Sequence, residues 1–340
     1  MLNATVGTFT AILVATYLLE LPHFSISMPE IHIQSTSSEL VPGQTCRIPI
    51  EVVIDQPLKV RGLHATFHGA EETQATYSTY NAATKTTQTQ TTFEYFDIVK
   101  EEYVLSGREK KGFFGNVADG LATLVGSGEH DVLDPGTYPF EVDVCVPADA
   151  RPSFDGKKCR VFYELSVLVD IPVWRDVKAL ESFTVAATAT ATTEAPTTVR
   201  TRYPEDQGRG LIDSIFGPDV RVEAALVESV LREGDSAEGI LVVESAKSLP
   251  FRSINARLTS VESSTAHGHN DTHTHLGEPN MIAGEGVIEG KYTRELQLPI
   301  TAPGPTTDRG KNFSINCFVQ IELDVPWAKD PTIRIPIRLV

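Results

Sequence analysis

The chain has 340 residues, 41% of them hydrophobic and 22% charged, the balance of an ordinary globular protein long enough for about two domains. Its formal net charge of −16 is spread over both halves, which argues against nucleic acid and anionic lipid as partners, since both are bound by clustered Lys and Arg. Two short basic runs, Arg108/Lys110/Lys111 and Lys157/Lys158/Arg160, are where a small anion site would sit within that field.

Residues 1–27 contain AILVATYLL, which resembles the apolar core of a signal peptide, yet no Lys or Arg precedes Arg47. Glu20 and Pro22 interrupt the run before it is long enough to span a bilayer. Two readings stay open: a leader or membrane tether, or an extension ahead of a first strand, MPEIHIQ, that begins at Met28. From there the apolar runs alternate with period two, the pattern of half-buried strands in antiparallel sheets. Ile48, Ile50, Val52 and Ile54 alternate with Arg47, Glu51 and Asp55. The Thr-rich run 76–96 alternates toward its aromatic end and reads as an exposed edge strand. Thr87 and Thr89 on it are expected to face a partner's added strand.

Residues 110–126 break the pattern. Phe114, Val117, Leu121 and Leu124 recur at helical spacings, so a short helix is expected over 112–124. With Phe113 it offers an apolar face, Phe113, Phe114, Val117 and Leu121, to a partner or to the protein's own sandwich. Strand alternation resumes at Tyr138/Phe140/Val142/Val144 and again at Val161/Tyr163/Leu165/Val167/Val169. Parity places Cys46, Cys159 and Cys317 on buried faces and turns Cys145 outward, so the four cysteines read as free thiols in a reducing cytoplasm. The Thr/Ala-rich stretch 185–207 reads as a linker. Leu211, Ile212, Ile215 and Phe216 beyond it form a second short helical face.

In the second half, HGHNDTHTH (267–275) is the one cluster with ligand chemistry. His267, His269, His273 and His275 with Asp271 would converge on one Zn, Ni or Cu ion if the segment folds into a hairpin. The alternative is a His-rich polar loop exposed between strands. Apart from this possible metal, no cofactor is expected. No nucleophile elbow, phosphate-binding loop, dinucleotide fingerprint or H-E-x-x-H motif occurs, so the chain does not read as an enzyme.

The chain is also written twice. Residues 40–71 align without a gap on residues 191 positions later, pairing Gly43 with Gly234, Arg61 with Arg252 and Glu71 with Glu262. Residues 136–176 align after a shift of 154, pairing Gly156 with Gly310, Asp170 with Asp324 and Asp176 with Asp330. The segment between the two blocks is 37 residues longer in the first copy. A single long repeat means two copies of one domain. The expected organisation is an N-terminal extension or leader (1–27), a β-sandwich over 28–187, a linker with a short helix over 188–218 and a second sandwich over 219–340. The fold class is all-β: two tandem immunoglobulin-like antiparallel β-sandwiches with one or two short helices.

Several stretches carry a family likeness. LDPGTYPFEVDVCVPADARPSFDGKKCRVFYELSVLVD (133–170) looks like the arrestin N-domain pattern of Pro-Gly turn, aromatic strand, P-S-F and Tyr-containing strand. LVPGQTCRIPIEVV and KVRGLHATFHGAEE resemble the opening strands of that family, and NFSINCFVQIELDVPWAKDPTIRIPIRLV its closing ones. Among relatives the chain looks nearer the bacterial sporulation-control and retromer-subunit branches than the receptor arrestins. The resemblance implies two hinged β-sandwiches acting as a non-enzymatic adaptor or scaffold. It names no partner, because paired phosphate-reading basic residues, a clathrin-type box and a Pro-Pro-x-Tyr ligand are all missing. The expected function is a cytoplasmic adaptor that binds protein partners at sandwich edges or in the inter-domain groove. Self-association is possible, and membrane contact would be indirect or through residues 1–27. The alternative is an exported or surface-tethered β-sandwich with a metal at the His-rich segment.

Overall fold

The computed structural model describes residues 28–34, 38–107, 131–172, 175–186, 198–203 and 220–340. Among these every regular element is a strand. Both segments expected to be helical, including Phe113, Phe114, Val117 and Leu121, lie outside the described residues, as does the extension 1–27.

The first domain comprises β1 (Glu30–Ile33), β2 (Glu39–Leu40), β3 (Thr45–Ile54), β4 (Leu58–Val60), β5 (Gly62–Asn81), β6 (Thr86–Gly107), β7 (Asp131–Leu133), β8 (Gly136–Cys145), β9 (Phe154–Asp155), β10 (Cys159–Asp170) and β11 (Val177–Val185). One sheet runs β1-β3-β8. The other runs β2-β11-β10-β5-β6, with β9 on β10. Alternation in the sequence becomes sidedness: Ile48, Ile50, Val52 and Ile54 of β3 are buried, as are Val161, Tyr163, Leu165, Val167 and Val169 of β10, and they meet in one core.

The second domain repeats this plan with β12 (Val199–Tyr203), β13 (Val220–Leu226), β14 (Val230–Leu231), β15 (Ser236–Phe251), β16 (Ser253–Ala266), β17 (His269–Leu276), β18 (Asn280–Ala283), β19 (Gly286–Pro299), β20 (Asp308–Arg309), β21 (Phe313–Asp324) and β22 (Thr332–Leu339). Its sheets are β12-β13-β15-β19 and β14-β22-β21-β16-β17, the latter flanked by β18 and β20. Even the unusual feature is repeated: a two-residue strand pairs in parallel with the last long strand, β2 with β11 and β14 with β22. The extra strand β12 falls inside the span expected as linker. It pairs with β13 from Val199↔Leu226 to Tyr203↔Val222, giving the second domain a four-stranded sheet where the first has three.

The matched residues of the repeat build equivalent corners. Arg61 Nε donates to Asp170 Oδ1 at 2.7 Å, and Arg252 Nη1 donates to Asp324 Oδ1 at 3.1 Å. Asp176 accepts from the Ile171 N–H, and Asp330 accepts from the Val325 N–H. Gly43 and Gly234 hold φ of 78° and 89° in matching turns, a conformation that costs a residue with a Cβ. All four cysteines are free. Cys159 and Cys317 are buried as parity requires, but Cys46 is only half-buried although it shares the parity of buried Ile48 and Ile50, and Cys145, expected to face outward, is half-buried as well.

Candidate functional site: a reciprocal joint between the domains

The two sandwiches meet where the long hairpins β5–β6 and β16–β17 leave their cores. Glu71 lies near the middle of β5, and Glu262, its repeat mate, lies near the end of β16. Both are buried, with 7% and 0% exposure. A buried carboxylate has to find donors. Each finds them in the other domain, at the turn ahead of the long central strand. Glu262 accepts from the Lys157 N–H at 3.0 Å and the Lys158 N–H at 2.7 Å, and Glu71 accepts from the Lys311 N–H at 2.8 Å. Lys157 and Lys311 are themselves repeat mates under the shift of 154. The preceding glycines make the approach possible. A Cβ on Gly156 would stand 2.6 Å from Glu262 Oε2, and one on Gly310 would stand 2.6 Å from Glu71 Oε2.

Three further contacts obey the same exchange. Thr73 Oγ1 donates to the Thr265 carbonyl at 2.9 Å, and its mate Ser264 Oγ donates to the Gln74 carbonyl at 2.6 Å. Asp271 faces Ser264 on the neighbouring strand just as Glu94 faces Thr73. Asp271 accepts from the Thr76 N–H at 2.9 Å, and Glu94 accepts from the His267 N–H at 2.8 Å. Thr76 and His267 are again 191 positions apart. Finally, Lys158 Nζ donates to Asp271 at 2.7 Å, and its mate Asn312 Nδ2 donates to Glu94 at 3.2 Å. Every one of these contacts crosses between domains, and each but the Lys158 N–H to Glu262 bond has a counterpart made by its repeat mates.

Other contacts break the symmetry. Arg151 bridges Glu71 in its own domain and Asp308 in the other, both at 2.7 Å. Phe313 of β21 packs with the first domain's core and meets Phe154 edge to face at 5.5 Å. On the other side His275 Nε2 holds Glu262 Oε1, and His269 stacks on Tyr77 with ring centroids 3.7 Å apart. Beside Glu71 lies a cleft of about 300 Å³ lined by Tyr95, Phe96, Asp97, Ile98 and Lys311.

The residues expected to bind metal belong to this joint. The segment is a hairpin, as a metal site would require. Its two-residue turn has φ of 48° at His267 and 80° at Gly268, the handedness that tight hairpins favour. It is not an exposed loop, however, because one face of β17 packs on the first domain. The histidines there do separate jobs: His267 donates its N–H to Glu94, His269 stacks, and His275 pairs with Glu262 while His273 lies against it edge to face. Asp271 serves Lys158 and Thr76. Among the described residues no three His, Cys, Asp or Glu side chains are grouped to hold a metal ion. Lys157 and Lys158 of the basic run do hold an anion, but it is the protein's own Glu262. Thr87 and Thr89 lie on β6, the end strand of its sheet, and are exposed.

Sequence reasoning found the mates Glu71 and Glu262 as letters of a repeat and missed what they do. Glu94, Asn312 and Thr73 were not singled out, since their mates Asp271, Lys158 and Ser264 are different residue types.

A chain of two antiparallel β-sandwiches, each repeating the other's strand order and docked through matching polar faces, is a tandem β-sandwich protein, an all-β architecture consistent with arrestin-like domains. Residues 30–191 match the family model described as "Arrestin (or S-antigen), N-terminal domain", a span that covers the first sandwich. That match supports the arrestin-like family and, in general terms, the non-enzymatic adaptor or scaffold role that goes with it. No curated protein matches the chain.

Proposed function

We propose that the protein is a cytoplasmic, non-enzymatic adaptor that takes an extended segment of a protein partner along the free edge of β6. The observation that carries this reading is the edge itself. β6 is 22 residues long, pairs with β5 on one side and, among the described residues, with no strand on the other. An unpaired strand edge offers a row of backbone donors and acceptors that an extended peptide completes as a new strand. Residues 86–91 are exposed, and the edge runs from them past exposed Phe93 and Tyr95 to the cleft at Lys311. The four free thiols favour the cytoplasmic setting. The second domain's repetition of the first supports extending the arrestin-like family to the whole chain.

The test is to replace both Thr87 and Thr89 by Pro in the full chain and to compare co-purified partners by mass spectrometry. Proline removes backbone donors and disturbs the edge without touching the core. Partners are expected to be lost while the melting temperature barely moves. An unchanged set of partners would count against the edge.

A further inference from the structure

The joint is reciprocal, so each domain carries both halves of it. The first domain presents an anchoring carboxylate, Glu71, and also the receiving turn Gly156–Lys157–Lys158; it has the hydroxyl donor Thr73 and the carbonyl acceptor Gln74. We infer that this face of the first domain is self-complementary: when the second domain is undocked, the face binds the first domain of a second copy of this chain about a true twofold axis.

The contacts follow by substitution of mates. Glu71 of one copy takes the place of Glu262 on the other copy's Lys157 and Lys158 N–H groups, and the reverse. Thr73 takes the place of Ser264 beneath the Gln74 carbonyl. Lys158 then faces Glu94 of the second copy, where the closed chain sets Lys158 against Asp271 and Asn312 against Glu94. A first-domain pair therefore makes two lysine–carboxylate contacts where the closed chain makes one. This charge pattern selects first domains over second ones, because a pair of second domains would set Asn312 against Asp271 twice and make none.

Homotypic pairing also gives something up. The position equivalent to Asp308 is Phe154, so Arg151 loses its cross-domain carboxylate, and Cys159 stands where Phe313 fills the core. The second domain is also tethered at high effective concentration. The closed joint therefore wins within one chain, and the pairing of copies appears once the second domain's half is disabled or occupied. This inference does not depend on the β6 edge reading.

Two full-length variants disable the second domain's half and leave the first domain untouched: E262K/D271K, and D308R/D271K. Sedimentation velocity gives the mass, and small-angle scattering reports opening. The expected result is an opened chain of doubled mass. Adding E94K should return it to a monomer, and adding E94K together with K158E should restore the dimer, because the charge pair is remade with its sign reversed. An opened chain that stays monomeric overturns the inference. So does a dimer that survives E94K alone, since it would use another surface. If both variants remain closed, the reciprocal contacts do not hold the joint and the inference falls with them.

Discussion

At the scale of single residues, repetition in sequence does not mean equality in energy. The matched pairs Arg61–Asp170 and Arg252–Asp324 occupy the same corner of each sandwich, yet the side chains of the first are 20% and 11% exposed and those of the second 59% and 32%. A partly buried pair loses a desolvated carboxylate's partner when broken, whereas an exposed pair is largely screened. Arg61→Met is expected to cost about 2 kcal/mol and Arg252→Met less than about 1 kcal/mol, measured by urea unfolding of the full chain. Equal costs would mean that burial does not set the difference. The joint's carboxylates give a second residue-scale expectation. Burial pushes the Glu262 carboxyl up, but the His275 ring and the N–H groups of Lys157 and Lys158 more than offset it, leaving it below the usual glutamate range. Burial likewise pushes Asp271 up, while the Lys158 ammonium and the N–H groups of Thr76 and Thr272 bring it below the usual aspartate range. A carboxyl depressed in the folded state contributes stability above its unfolded value, about 4 for both types, and loses it as pH falls through the lower folded value. The joint should thus stay shut from neutral pH to about 4 and open below that, which small-angle scattering would register as an expansion ahead of core unfolding.

Elements were legible where one physical rule governed them. Period-two alternation located β3, β8 and β10 because a sandwich strand has one wet face and one dry face. The same rule marked the run 76–96 as an edge, although it lies on two strands, with the turn at 82–85 between them. β12 escaped notice because five residues, VRTRY, are too few to show a pattern and sit beside Thr/Ala-rich sequence. The His hairpin was visible as chemistry and misplaced in space. Its strand period puts His269, Asp271, His273 and His275 on one face, as a metal site needs, but that face was already claimed by the first domain. Isothermal titration with Zn²⁺ should accordingly find no saturable site at micromolar metal. Saturable binding would show that the hairpin leaves its partners to ligate.

For the whole molecule, the repeat announced two domains but not how they dock. The aligned letters that matter most to docking are few, Glu71/Glu262 and Gly156/Gly310, and nothing in a single sequence distinguishes them from the turn and core matches around them. Thr73/Ser264 and Lys158/Asn312 lie on the same two shifts as unlike letters, and Glu94/Asp271 became visible only when strand register placed Glu94 opposite Thr73 and Asp271 opposite Ser264. Their identities differ: Thr against Ser, Glu against Asp, Lys against Asn. Redundancy permits that difference. A bond made twice across one axis survives the weakening of either member, so the chain tolerates a poorer residue at one site while its twin still holds. Combined substitutions at Thr73 and Ser264 should therefore harm docking more than the two single effects added together. The places where the halves of this chain no longer spell the same word are the places where a spare copy has made the spelling free.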